Sequence, residues 1–211
     1  QVEFCVGDGR VRVNVCHGSE LLEAVEQRFA QGEGFTLATL NLDHLVKLGR
    51  DASFRAAYLQ QDLVTADGNP IVWLARLAKQ PVDLLPGSDL IRPMLRLAAR
   101  MGVPVGFLGS TEASLVAAAA VLNAEIPGLD VRACVAPPMG FDPAAPQTTD
   151  IFDDLAAQGV RLVLVALGAP KQERLAALGH ARHPGLSFVC IGAGLRTLPG
   201  TTAPPRLGAE R

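Results

Sequence analysis

The chain has 211 residues, 49% hydrophobic and 19% charged, enough to bury a sizeable core and too apolar for disorder. A formal net charge of −2 and an isoelectric point near 6.1 exclude a basic field that would recruit nucleic acid or an anionic bilayer. The apolar residues come in strand- and helix-sized runs broken by charges, with no membrane-spanning stretch, and the opening residues do not read as a signal peptide.

Val2 to Val6 and Val11 to Val15 alternate apolar and polar residues around Gly7-Asp8-Gly9, which predicts a hairpin. A turn there sets Cys5 opposite a residue near Val11 or Arg12. Ser19 is placed to cap a helix that carries Leu21, Leu22, Val25 and Phe29 on one face. Phe35 to Leu40 reads as a strand ending at Asn41, and His44 to Gln60 as a helix interrupted near Arg50-Asp51. The short apolar strand Leu63 to Ala66 then delivers Asp67, with Gly68 behind it to permit a sharp bend. Ile71 to Lys79 is helical, and Pro81 to Pro86 is a turn.

Gly87-Ser88-Asp89 opens a helix through Arg100, with Ser88 as the expected N-cap and Pro93 inside it or in its first turns. From Val103 the units repeat in kind. Strand Val103 to Leu108 precedes a helix from Glu112 to Glu125, and strand Asp130 to Ala136 precedes a helix from about Thr149 to Gln158. Strand Arg161 to Leu167 precedes a helix ending at Arg182, and strand Ser187 to Ile191 ends at Gly192-Ala193-Gly194. This alternation predicts βαβ units: an α/β, Rossmann-like, open and mostly parallel sheet with helices on both faces. An N-terminal hairpin over residues 1–16 precedes it, and residues 1–211 read as one domain.

Cys5, Cys16, Cys134 and Cys190 form no CxxC and no zinc-spaced Cys/His cluster, so they read as four reduced thiols in a cytoplasmic protein. The four histidines likewise show no metal spacing. There is no GxGxxG on a strand-to-helix turn, no GxxxxGK[ST] and no GxSxG elbow.

The polar and glycine-rich residues fall at the carboxyl ends of the predicted strands. Thr39-Leu40-Asn41, Asp67-Gly68, Gly109-Ser110-Thr111, Gly168 to Gln172 and Gly192 to Gly194 should therefore surround one crevice. Asp67 has two readings, a cap on the helix that follows or a general base. Ser110 and Thr111 head a helix, where unpaired N–H groups favour an anion. Lys171 and Gln172 open another helix within reach of a diphosphate, although Lys171 also suits an ordinary solvated surface. His44 either borders the crevice or serves the fold.

Thr39-Leu40-Asn41 with His44, Asp67-Gly68 with Trp73, Gly87-Ser88-Asp89-Leu90, and Gly168-Ala169-Pro170-Lys171-Gln172-Glu173 occur in this order. In these motifs and their spacing the chain resembles the WecG/TagA/CpsF glycosyltransferases, glycosyltransferase family 26, over roughly Val11 to Gly200. The resemblance implies an inverting enzyme with no cofactor and no bound metal. It would move a sugar from a UDP-sugar donor to a polyprenyl-diphosphate-linked sugar acceptor in cell-surface polysaccharide biosynthesis. It further implies a cytoplasmic protein in peripheral contact with the inner face of the plasma membrane, with no nucleic-acid partner.

In that reading Asp67 is the catalytic base. Thr39 and Asn41 position the sugars or acceptor, Gly68, Gly109 and Gly168 join them in binding substrate, and Ser110 and Thr111 stabilise departing UDP. Gln172, with Lys171, holds the nucleotide sugar, while Gly87, Ser88 and Asp89 shape the start of their helix. Three features depart from the family pattern. Asp83-Leu84-Leu85-Pro86 stands where the family carries an Arg, and Arg196 stands where its last strand leads to an Asp. The family's basic membrane-docking tail is reduced to Ala203 to Glu210, leaving apolar surface that favours a homo-oligomer. Arg196 is expected to substitute in part for the missing Arg. The competing expectation is a degenerate member that binds nucleotide sugar without turnover, as a regulator or scaffold.

Overall fold

A computed structural model describes residues 1–198. Two antiparallel strands, β1 (Val2–Val6) and β2 (Gly9–Val13), open the chain. Gly7 and Asp8 alone make the reversal, with Gly7 at φ 58°. Because the turn has two residues rather than three, Cys5 faces Arg10 instead of Val11 or Arg12, and β2 starts and ends two residues earlier than expected.

Helix α1 (Gly18–Gln31) starts one residue before Ser19, which does not cap it; the Glu20 carboxylate instead accepts the His17 N–H at 3.3 Å. Strand β3 (Thr36–Leu40) leads into α2 (Leu42–Arg50) and α3 (Ala52–Leu59). The break between these helices is Asp51, whose carboxylate caps α3 through the Phe54 N–H at 2.8 Å. Strand β4 (Leu63–Ala66) and helix α4 (Asn69–Leu77) follow. Asn14 and Val15, just past β2, donate to the Val64 carbonyl, and the Asn14 side chain bonds Asp62 O and Val64 N. The hairpin thereby covers the outer edge of β4, which would otherwise offer unpaired backbone groups.

Helix α5 (Gly87–Arg100) begins directly behind Pro86, one residue before the expected N-cap. Ser88 Oγ donates to the neighbouring Asp89 carboxylate rather than capping the helix. Then come β5 (Val105–Gly109), α6 (Glu112–Glu125), β6 (Val131–Val135) and α7 (Gln147–Ala157). Strand β7 (Leu162–Ala166), helix α8 (Lys171–Arg182), strand β8 (Ser187–Cys190) and a 3₁₀ turn (Gly194–Thr197) complete the described chain.

Six strands form a parallel sheet in the order β4-β3-β8-β7-β5-β6. Alternate residues of each central strand point to opposite faces, and both faces are covered. On one side Leu162 and Leu164 join a core with Leu21, Val25, Met94, Leu97 and Leu115 from α1, α5 and α6. On the other, Val163 and Val165 pack against Phe152 and Leu155 of α7 and Leu175 of α8. Beside them Leu40, Val64 and Ala66 pack under Leu48, Phe54, Tyr58 and Ile71 of α2 to α4 and the hairpin valines. Each fully enclosed leucine contributes about 1.5–3 kcal/mol, so this patterning supplies the main driving force for the layered arrangement. The thiols of Cys5, Cys16, Cys134 and Cys190 are all free. The stretch from Ala203 to Glu210, expected as an abbreviated tail, lies outside the described residues.

Candidate active site

Strand β3 pairs with β4 as far as Leu40↔Ala66, but with β8 only at Thr36↔Phe188 and Leu37↔Val189. Beyond Leu37 the two central strands part. The Thr39 carbonyl is taken up by the Tyr58 hydroxyl at 3.0 Å and by His44 Nδ1 at 2.7 Å. A cleft of about 330 Å³ opens there, lined by Thr39, Asn41, His44 and Asp67 on one side and Ile191 to Gly194 on the other. Pro86, Gly87, Ser88, Ala169 and Gln172 complete its walls.

Asp67 extends the β3–β4 ladder, its N–H donating to Leu40 O at 2.8 Å. Its Oδ2 accepts the Thr39 hydroxyl at 3.1 Å. Gly68, with φ 99°, turns the chain at once into α4 and is itself the N-cap residue. No side chain caps α4, so Asp67 does not serve as a helix cap and its second oxygen is unpaired among the described residues. Asn41 divides its duties. Its side-chain oxygen caps α2 through the His44 N–H at 2.8 Å, which leaves the amide N–H₂ toward the cleft it lines.

Gln172 is buried, and its amide orientation follows from chemistry. The Gly192 N–H can only donate, so it meets Gln172 Oε1 at 3.0 Å, and Gln172 Nε2 then donates to Glu173 Oε1 at 2.9 Å. Glu173 is fully enclosed, with Oε2 lacking a partner, and burial pushes its carboxyl above the ordinary range. Oε1 of Gln172 thus holds the glycine loop after β8, while Nε2 is committed to Glu173.

A second cleft, of about 430 Å³, adjoins the first and shares Gly192 and Ala193 with it. Strand β5 connects onward toward β6 and strand β7 toward β8, so the chain diverges here in opposite directions. Such a switch point is where parallel α/β sheets hold ligands. Gly109 ends β5 at φ 112°, where a Cβ would lie 2.5 Å from Ala166 O. Ser110 follows at φ 59°, an unusual conformation for a non-glycine residue, and lines the cleft with Thr111, Ser114 and Gly168. Thr111 is the N-cap of α6, accepting the Ser114 N–H at 3.3 Å. Arg196, in the 3₁₀ turn, is the one charged residue lining this cleft among the described residues.

Of the expected site residues, the structure gathers Thr39, Asn41, Asp67 and Gln172 in the first cleft and Ser110, Thr111, Gly168 and Arg196 in the second. Gly68 and Gly109 act through backbone shape. Lys171 is exposed at the start of α8 and lines neither cleft. Sequence reading assigned Gly87 and Ser88 to the start of their helix, but both also line the first cleft. The available signal was Gly87 itself, because a Cβ there would fall 2.9 Å from the Ile191 Cα. Tyr58 had no local signal, since its partner Thr39 is 19 residues away, and Glu173 stood in the Gly168–Glu173 motif without a role of its own.

A doubly covered parallel sheet with one acidic and one cationic cleft at its carboxyl edge defines a ligand-binding α/β protein whose site straddles the strand ends. The model of the glycosyl transferase WecG/TagA/CpsF family matches residues 8–206, and the chain belongs to that family. It is a glycosyltransferase, and membership implies sugar transfer in the synthesis of cell-surface polymers.

Proposed function

We propose that this enzyme transfers a sugar, with inversion, from a UDP-sugar to a polyprenyl-diphosphate-linked sugar, with Asp67 as general base. The observation that carries the reading is the placement of Asp67 and Arg196 in adjoining clefts that share the Gly192–Ala193 wall. A carboxylate suits the side where a hydroxyl must lose a proton. A guanidinium suits the side where a diphosphate must leave.

In this mechanism the acceptor hydroxyl enters the Asp67 cleft and attacks the anomeric carbon from the face opposite UDP. Its proton passes to the free oxygen of Asp67 while Thr39 hydrogen-bonds the other. The bond from the anomeric carbon to UDP breaks, and the electron pair leaves with the diphosphate. Arg196 and the amide donors at the start of α6 meet that charge. Gln172 acts by clasping Gly192 between the two clefts, and Lys171 has no part in this scheme.

No helix among the described residues is long and apolar enough to cross a membrane. Contact with a lipid-linked acceptor then falls to the surface. A screen of UDP-hexoses and UDP-N-acetylhexosamines against a short-chain polyprenyl-diphosphate acceptor tests the reading. Asp67→Asn should bind UDP as the parent does and transfer about 10²–10⁴-fold more slowly. Undiminished transfer by this variant rules out Asp67 as base, and UDP binding with no transfer by the parent favours a degenerate, non-catalytic member.

A further inference from the structure

Thr39 links two residues of the first cleft. Its hydroxyl donates to Asp67 Oδ2 at 3.1 Å, and its carbonyl lies 2.7 Å from His44 Nδ1. A carbonyl can only accept, so Nδ1 carries the hydrogen. In the neutral ring, Nε2 is then left as an acceptor. His44 is 5% exposed, and its ring packs edge-on against Phe54 and Tyr58, which sets its plane.

Nε2 has no protein partner among the described residues. Four enclosed side-chain atoms also lack partners, namely Gln61 Oε1, Glu173 Oε2, Arg174 Nε and Ser187 Oγ; His44 Nε2 is not one of them. It is therefore reached from outside, and His44 borders the cleft that holds Asp67. A histidine serving only the fold needs its Nδ1 bond alone. An open, oriented acceptor in a sugar-sized cleft is suited to a hydroxyl group.

We propose that His44 contacts substrate: Nε2 accepts a hydrogen bond from a hydroxyl of the acceptor sugar while Asp67 takes the proton of the attacking hydroxyl. This rests on the transferase reading above. Two acceptors in one cleft, one charged and one neutral, select a polyhydroxylated ring over a simple alcohol. The contact orients the ring and leaves the proton inventory of the reaction unchanged.

The test separates the two ring nitrogens. His44→Asn keeps a donor near the Nδ1 position, whereas His44→Gln returns a carbonyl near the Nε2 position. Each is assayed with a farnesyl-diphosphate-linked N-acetylhexosamine and the UDP-sugar that the parent uses fastest, beside thermal melts and calorimetry with UDP. His44→Asn should keep the parent's melting temperature and UDP affinity while kcat/KM for the acceptor falls about tenfold. His44→Gln should recover part of that loss.

Acceptors lacking one hydroxyl at a time supply a second readout. One deletion should cost the parent about tenfold, cost His44→Asn nothing, and cost His44→Gln only the part of the loss that its carbonyl recovers. Parent-like transfer by His44→Asn, or deletion losses identical in parent and variants, overturns the proposal. If His44→Asn folds poorly, the deletion series on His44→Gln decides. A parent that transfers to no acceptor sinks the transferase reading and this inference with it; active parent and indifferent variants sink this inference alone.

Discussion

The hydroxyl of Thr39 donates to Oδ2 of Asp67 at 3.1 Å, across two neighbouring parallel strands. The bond aims the carboxylate, occupies one of its oxygens, and leaves the other for a proton. Thr39→Val removes a neutral donor to a charged acceptor, worth about 1.5–3 kcal/mol when enclosed. Transfer should fall by about 10–100-fold, less than the loss from Asp67→Asn, with UDP affinity unchanged by calorimetry. A valine variant slower than the asparagine variant would place the essential group on Thr39 instead.

Arg196 is exposed, so its contact with a diphosphate is partly screened. Arg196→Ala should weaken UDP binding by about tenfold, near the low end for a charge-assisted hydrogen bond. The loss should shrink as salt is raised, since surface charge pairs are screened over about 8–10 Å. Unchanged affinity at low salt would dismiss Arg196 as the diphosphate contact.

Gly109 and Ser110 make opposite predictions although they are adjacent. A Cβ on Gly109 meets the Ala166 carbonyl at 2.5 Å and must also adopt φ 112°, so Gly109→Ala should cost about 3 kcal/mol or more. Ser110 already bears a left-handed φ of 59°. Ser110→Gly should gain about 0.5–1 kcal/mol of stability, the relief of strain less the added freedom of the unfolded chain. Urea titrations of both variants check the signs; a destabilised Ser110→Gly would mean that the hydroxyl, not the backbone, matters there.

Glu173 has a folded-state pKa raised above its ordinary 4.5, chiefly by burial. A carboxyl raised in this way holds its proton more tightly in the native state. Its contribution to stability is complete below the unfolded value and is lost as pH climbs through the folded one. Glu173→Gln is neutral throughout and can still accept from Gln172. Its melting temperature relative to the parent should therefore rise as pH climbs from 4.5 through the raised folded-state value of Glu173. A margin that stays flat or falls over that range contradicts a buried, reluctantly ionised Glu173.

Much of the architecture was legible because local patterns carry their own physics. The runs at Leu63–Ala66 and Leu162–Ala166 are short, apolar and punctuated by glycine, and the helix Glu112–Glu125 is bounded by Thr111 as its cap. Parallel order followed from helices placed between the strands, and crowding of polar residues at strand ends pointed to one edge. Turn length was less legible, since Gly7-Asp8-Gly9 suits a two- or three-residue reversal and only the register with Arg10 separates them. Ser19 and Ser88 likewise look like caps in isolation, but packing starts each helix one residue earlier.

The strand-helix alternation, the carboxylate at Asp67 and the glycines that turn the chain beside it follow from local residues, because propensity, periodicity and backbone freedom act over a few positions. What those groups touch depends on contacts between distant segments. The parting of β3 from β8 after Leu37, the clasp from Gln172 to Gly192 and the Thr39 bridge between Asp67 and His44 join segments up to about 150 residues apart in the chain. No local pattern encodes such partners. They arise when a parallel sheet brings distant strand ends to one edge, where unpaired backbone and buried side chains must find hydrogen bonds.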